Sequence, residues 1–149
     1  MKSTAGEAGS HASAVQSDLR LQPTIVRHVL TAVSKDVAPL MPITGGTTSL
    51  AAHPRSVLAL LVYHYAQGVF ASHEIECVLR TDPRLRLLCR DEFPDWRQLR
   101  RFRRLNHGVV SNCLAQVLSE ESVSAVNSSA DAEQRLSEAA VLDELFADE

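Results

Sequence analysis

Apolar residues recur at intervals of three and four along most of this chain, the spacing of one face of a helix. From Pro23, the series Val26, Val29, Leu30, Val33 and Val37 keeps that rhythm until Pro39 interrupts it. Residues 38 to 52 hold two prolines and the pair Gly45-Gly46 and read as a loop. Pro54 opens a second helix at a position where its missing N–H costs nothing. That helix carries Val57, Leu58, Leu60, Leu61, Val62, Tyr63, Tyr65 and Ala66, apolar nearly all round, and Gly68 ends it. Such a helix belongs at the centre of a bundle. Ser72 is expected to cap a short third helix, with Glu74 and Glu76 in its first turn and Ile75, Val78 and Leu79 turned inward. Asp82-Pro83 starts another, carrying Leu85, Leu87 and Leu88.

Further on, Asp95 followed by Gln98 three residues later predicts a capping box at the head of the next helix. After a break near Gly108, Val110, Cys113, Leu114, Val117 and Leu118 form another stripe. Ser119 to Ala130 is polar and serine-rich and reads as a linker, and Ala132, Leu136, Ala139, Leu142 and Phe146 lie at helical spacing on an otherwise acidic segment. No window alternates with period two over the length of a strand. The prediction is an all-α fold, a bundle of six or seven short helices without internal repeats. A disordered arm is expected over residues 1–20, a helical domain over 21–120, a linker over 121–130 and an acidic amphipathic helix over 131–149.

Composition adds little until it is divided along the chain. The net charge of −3 is close to neutral, but residues 53 to 118 hold ten arginines against six acids, while residues 119 to 149 hold one arginine against nine acids. A basic middle followed by an acidic end implies an anionic partner, and a tail able to compete with it. The N-terminus has no apolar signal segment and no apolar run reaches 18 residues, so a cytoplasmic protein is the expectation. Cys77, Cys89 and Cys113 lack metal-ligand spacing and sit among apolar neighbours, as reduced core cysteines do. The six histidines form no pattern with cysteine or glutamate. No cofactor is expected, no metal site, and no small-molecule substrate.

The candidate chemistry lies in the arginines. Between Arg80 and Arg104 there are nine, and no lysine. At 100° per residue, Arg97, Arg100, Arg101 and Arg104 fall within roughly 100° of one another, with Trp96, Leu99 and Phe102 on the other side. An apolar stripe that docks a helix, opposite an arginine face that meets phosphates or guanines bidentately, is suited to a DNA-contacting helix. Arg103 projects near Trp96 at the edge of the apolar side. It is expected to stack on an aromatic ring or pair with Glu76, Asp82 or Asp91. Trp96 and Phe102 are expected to pack in the core rather than stack on bases. Arg55, Arg80, Arg84, Arg86 and Arg90 are candidates to extend the basic surface. Asn106 is read as a cap rather than an adenine reader, and His64 and His73 as core or surface histidines. The acid pairs Glu74/Glu76 and Asp91-Glu92 are read as helix-start or loop charge rather than acid–base catalysts.

Several of these segments, taken in order, resemble one family. His53-Pro54-Arg55, the apolar helix to Tyr65, Gly68 and Ser72, then Ile75-Glu76, the turn from Asp82 to Leu88, Pro94-Asp95 and Arg101-Phe102-Arg103-Arg104 resemble the N-terminal domain of insertion-sequence transposases of the IS5/IS1182 type. The resemblance spans about residues 50 to 120. It implies a helical region that binds double-stranded DNA at the ends of a mobile element, through Arg97, Arg100, Arg101 and Arg104 here. In the family a catalytic RNase H-like domain with three metal-binding carboxylates normally follows. After Leu118 this sequence runs instead into Ser119-Glu120-Glu121-Ser122 and the acidic segment. No catalytic residue is therefore assigned, and no enzymatic activity is expected of these residues. A protein partner, either a transposase catalytic subunit or a second copy, is the alternative to DNA. For the acidic helix three placements are open: packed back on the bundle, in a dimer contact, or over the arginine face as a mimic of phosphate.

Overall fold

A computed structural model describes residues 23–36, 38–41, 54–82, 94–121 and 128–147. The fold is all-helical, as expected, with six helices among the described residues: α1 Pro23–Lys35, α2 Pro54–Ala66, α3 Ser72–Thr81, α4 Trp96–Leu105, α5 His107–Glu121 and α6 Ser128–Ala147. The N-terminal arm and the helix expected from Pro83 lie outside the described residues, as does Cys89. Of the stretch read as linker, residues 119–121 end α5 and 128–130 begin α6, and the residues between lie outside the described ones.

Helix α2 forms the centre. Every residue from Val57 to Tyr65 is buried, which follows from its lack of a polar face. Around it, α1 contributes Val29, Ala32 and Val33, and α5 contributes Val110, Cys113, Leu114 and Val117. Leu30, read as part of the α1 stripe, is instead exposed, and Ala32 takes the inward place. Each fully buried Leu or Val in this cluster is worth about 1.5–3 kcal/mol over its exposed state.

The C-terminus of α2 shows how α6 is tied on. Gly68 takes φ +85°, a left-handed conformation costly for any residue with a Cβ. The turn lets Val69 N–H return to the His64 carbonyl at 2.9 Å. Arg135, from α6, then donates to the Tyr65 carbonyl at 2.6 Å and the Ala66 carbonyl at 3.3 Å. A cation on the last carbonyls of a buried helix satisfies acceptors that have no partner within the helix. Arg55, an exposed residue, does the same for α1, donating to the Val33 carbonyl at 2.8 Å.

Helices α5 and α6 pack side by side. Ala132, Leu136 and Ala139 of α6 are buried, whereas Leu142 is only half-buried. The next inward position after Ala139 holds Asp143, which is fully buried. At the rim, Glu133 accepts from Ser111 at 2.7 Å and bonds His107 at 3.0 Å. These two bonds hold its carboxyl below the usual carboxylate range.

Candidate nucleic-acid interface

The arginine-bearing helix α4 is well anchored at its start. Asp95 accepts from Gln98 N–H at 2.9 Å while the Gln98 side chain accepts from Asp95 N–H at 3.0 Å, the capping box expected from the sequence. A second carboxylate arrives from α3: Glu76 Oε1 accepts the Trp96 N–H at 2.7 Å. The sequence places Glu76 in the first turn of its own helix, but only Glu74 lies there. Glu76 caps α4 instead, and also pairs with Arg80 at 3.2 Å. Leu99 and Phe102 are fully buried and dock the helix. Trp96 is half-buried and belongs only partly to the core. Its ring stacks on His73 with centroids 4.0 Å apart, and the Arg97 guanidinium lies over it at 4.9 Å.

At the other end of α4, Asn106 is the C-cap, as expected, and its N–H returns to the Phe102 carbonyl at 2.9 Å. Its side chain has a further task that its sequence position does not show. The amide accepts from Met41 N–H at 2.7 Å and donates to the Met41 carbonyl at 3.0 Å, pinning the segment after α1 as a strand neighbour would.

Around the polar circumference of α4 the arginines form a series from buried to exposed. Arg103 is buried and its Nη2 lies 3.0 Å from Asp143 Oδ2 of α6. This carboxylate comes from α6, a partner the sequence reading did not name. Of the acids expected there, Glu76 is turned to the first N–H of α4 and to Arg80, and Asp91 lies outside the described residues. Asp143 also accepts from Ser72 N–H at 2.9 Å and from Ser72 Oγ at 2.8 Å. Ser72 therefore does not cap α3 with its own hydroxyl. Ala71 is the N-cap residue and makes no side-chain cap, and the distant Asp143 carboxylate meets the helix start instead. Three donors on a fully buried carboxylate are what such a group requires to remain in the interior.

Arg100 and Arg104 come next. Each donates through Nη2 to Glu144 Oε1 at 2.7 Å. The Arg100 side chain is 20% exposed, against 55% for Arg104 and 62% for Glu144. Beyond them Arg97 and Arg101 are exposed. The four predicted DNA-contacting residues thus lie on one helix, two of them on an open flank and two under an acid from α6. The residues at this face that sequence reasoning did not name are Asp143 and Glu144. A signal existed: Leu136, Ala139 and Asp143 continue one helical stripe, and an acid in an inward position calls for a buried cation.

Other titratable groups belong to the frame. His64 is buried, with Nδ1 on the Leu60 carbonyl at 2.8 Å, and burial lowers its pKa to about 4. The Tyr65 hydroxyl is buried without a hydrogen-bond partner among the described residues, and burial raises its pKa. The Cys113 thiol is pushed up to about 12 by burial and by neighbouring Asp36, as for an inert core cysteine. Cys77 is exposed, contrary to expectation, because it lies on the solvent side of α3. Arg84, Arg86 and Arg90 lie outside the described residues. Among the described residues no three His, Cys, Asp or Glu side chains come together as metal ligands would, and no helix is long and apolar enough to cross a membrane.

Residues 16–105 match the family described as Transposase domain (DUF772). The chain belongs to that family. The matched segment starts earlier than the resemblance read from the motifs and takes in α1. It stops at the last residue of α4, and α5 and α6, which pack into the same core, lie beyond the matched segment. No curated protein and no solved structure matches the chain.

Proposed function

We propose that this transposase domain binds double-stranded DNA through Arg97, Arg100, Arg101 and Arg104 of α4, and that it serves recognition rather than chemistry in transposition. The observation that carries this reading is the amphipathic construction of α4: a doubly capped helix docked by Leu99 and Phe102, with its arginines on the opposite side. The order of motifs from His53 to Arg104 supports a place among the N-terminal domains of insertion-sequence transposases of the IS5/IS1182 type, with element ends as the target.

Fluorescence anisotropy with a labelled duplex tests the proposal. If each of the four arginines meets one phosphate, log Kd changes with log salt with a slope of about 3.6 in magnitude, roughly a 150-fold loss of affinity between 50 and 200 mM. Arg97→Glu with Arg101→Glu abolishes binding and leaves the helical circular dichroism unchanged. Absence of binding to any duplex at low salt, in the native chain and in Glu144→Gln alike, defeats the reading.

A second reading is a protein-interaction module that pairs with a transposase catalytic subunit or with itself. It is favoured by Val141 and Leu145 on the outer side of α6, 60% and 66% exposed. Light scattering distinguishes it: a dimer that dissociates on Val141→Glu supports this reading, and a monomer at all concentrations excludes self-association.

A further inference from the structure

Glu144 occupies two of the four arginines of the DNA-binding reading. Its Oε1 accepts from both Arg100 and Arg104 at 2.7 Å, the arrangement in which one phosphate oxygen would bridge two guanidinium groups. A carboxylate and a phosphate are competing anions for the same forks, so both cannot hold them at once. The neighbouring residue behaves differently. Asp143 is fully buried, is held by Ser72 and Arg103, and cannot be reached by DNA without unpacking α6. The acid over the DNA-facing arginines also comes from outside the matched family segment, which ends at Leu105.

We propose that Glu144 is an autoinhibitory gate on the arginine face. DNA phosphate displaces this one side chain from Arg100 and Arg104, while Asp143 keeps α6 docked on the bundle. The proposal rests on the DNA-binding reading above and specifies how that site is regulated. In the closed state Arg97 and Arg101 are the two of the four that Glu144 does not hold, and full engagement follows only when Glu144 swings away. The gate therefore sets a threshold against weak, nonspecific anions without burying the site.

Three proteins decide it, compared in anisotropy titrations of a labelled duplex at 50 mM salt. Glu144→Gln removes the competing charge and tightens binding by about threefold to tenfold relative to the native chain, the combined size of two exposed ion pairs. Glu138→Gln, at an exposed acid earlier on α6 beside Val141 and Leu142, removes an equal charge and changes affinity by less than about twofold. Equal effects of the two variants would overturn the gate and leave only a general charge effect, with DNA binding itself intact. Failure of all three proteins to bind defeats the DNA-binding reading along with the gate. Hydrogen exchange checks the second half of the proposal: amides of residues 132–139 stay protected in the DNA complex. Their deprotection on binding would mean that the whole helix leaves, and would overturn the single-side-chain gate.

Discussion

Arg103 and Arg101 stand two positions apart on α4 and have opposite surroundings. Arg103 is 4% exposed and paired with a carboxylate that no solvent reaches. Arg101 is exposed. The residue type is the same and so is the helix; the difference is what packs on each flank. On the closed flank, α6 brings Asp143 and Glu144. On the open flank nothing among the described residues covers Arg101. Charge on the first flank specifies how two helices fit together, because a buried ion must find its partner. Charge on the second is left available for a partner in solution. A count of arginines treats the two flanks alike, and only their burial separates a packed charge from an open one.

The sharpest way to break this contrast is at Asp143. Asp143→Ala leaves the Arg103 guanidinium buried without a counterion and strips Ser72 of its acceptor, an expected loss of about 3–5 kcal/mol in urea-unfolding free energy. The double variant Asp143→Leu with Arg103→Met removes both charges and is expected to recover most of that loss. If Asp143→Ala costs less than about 1 kcal/mol, the closed flank is not an architectural contact.

Acid probes the buried interior through His64. Its folded pKa of about 4 lies below the ordinary value of 6.5, so between these values the unfolded chain binds the proton that the folded chain excludes. This contribution is fully present above pH 6.5 and is lost as pH falls toward 4. The loss is expected to approach about 3 kcal/mol, since each tenfold change in proton affinity between the folded and unfolded chains corresponds to about 1.4 kcal/mol. Chemical denaturation at pH 7 and pH 4, native against His64→Gln, isolates it: the variant is expected to lose less on acidification. An equal loss would mean that His64 does not contribute to acid sensitivity.

The legible and the hidden parts of this molecule divide along the same line as its two flanks. Helix α2 could be read from the run Val57 to Tyr65 because burial all round leaves no polar position to misplace. The start of α4 could be read because a capping box is local, with both partners within four residues. The outward and inward arginines could be separated by angle alone. What could not be read is which helix returns to pack there. Arg103 meets Asp143, Arg100 meets Glu144 and Ser72 meets Asp143 across forty to seventy-one residues, and no local periodicity encodes such a distance. The same reason explains why Glu76 caps a neighbouring helix and why an Arg55 N–H reaches the end of α1.

The cap itself gives a smaller effect that bears on both flanks at once. Asp95→Ala removes the side-chain acceptor for the Gln98 N–H and half of the reciprocal pair, and is expected to cost about 1 kcal/mol in thermal or urea unfolding. Since Glu76 still holds the Trp96 N–H, α4 is expected to remain in place and DNA affinity to change little at temperatures well below the transition. A fall in affinity parallel to complete loss of helicity would show that the first turn of α4 depends on Asp95 alone.

The smallest expected change in stability is at the open flank, and it tests the comparison from the other side. Arg97 and Arg101 are exposed, and the Arg97 contact over the half-buried Trp96 ring is worth about 0.5–1 kcal/mol at most. Arg101→Ala is therefore expected within about 0.5 kcal/mol of the native chain in urea unfolding, and the Arg97→Ala, Arg101→Ala pair within about 1 kcal/mol. Against DNA the same pair is expected to remove two of four phosphate contacts and halve the salt slope, from about 3.6 to about 1.8 in magnitude. Arg103→Ala provides the opposite result: a large loss of stability. Where it remains folded, at low temperature, its salt slope is expected to match the native chain, because a buried arginine releases no counterion from DNA. If Arg101→Ala destabilises as much as Arg103→Ala, or if Arg103→Ala flattens the salt slope as the open pair does, the two flanks are not distinct and the assignment of recognition to Arg97 and Arg101 fails with them.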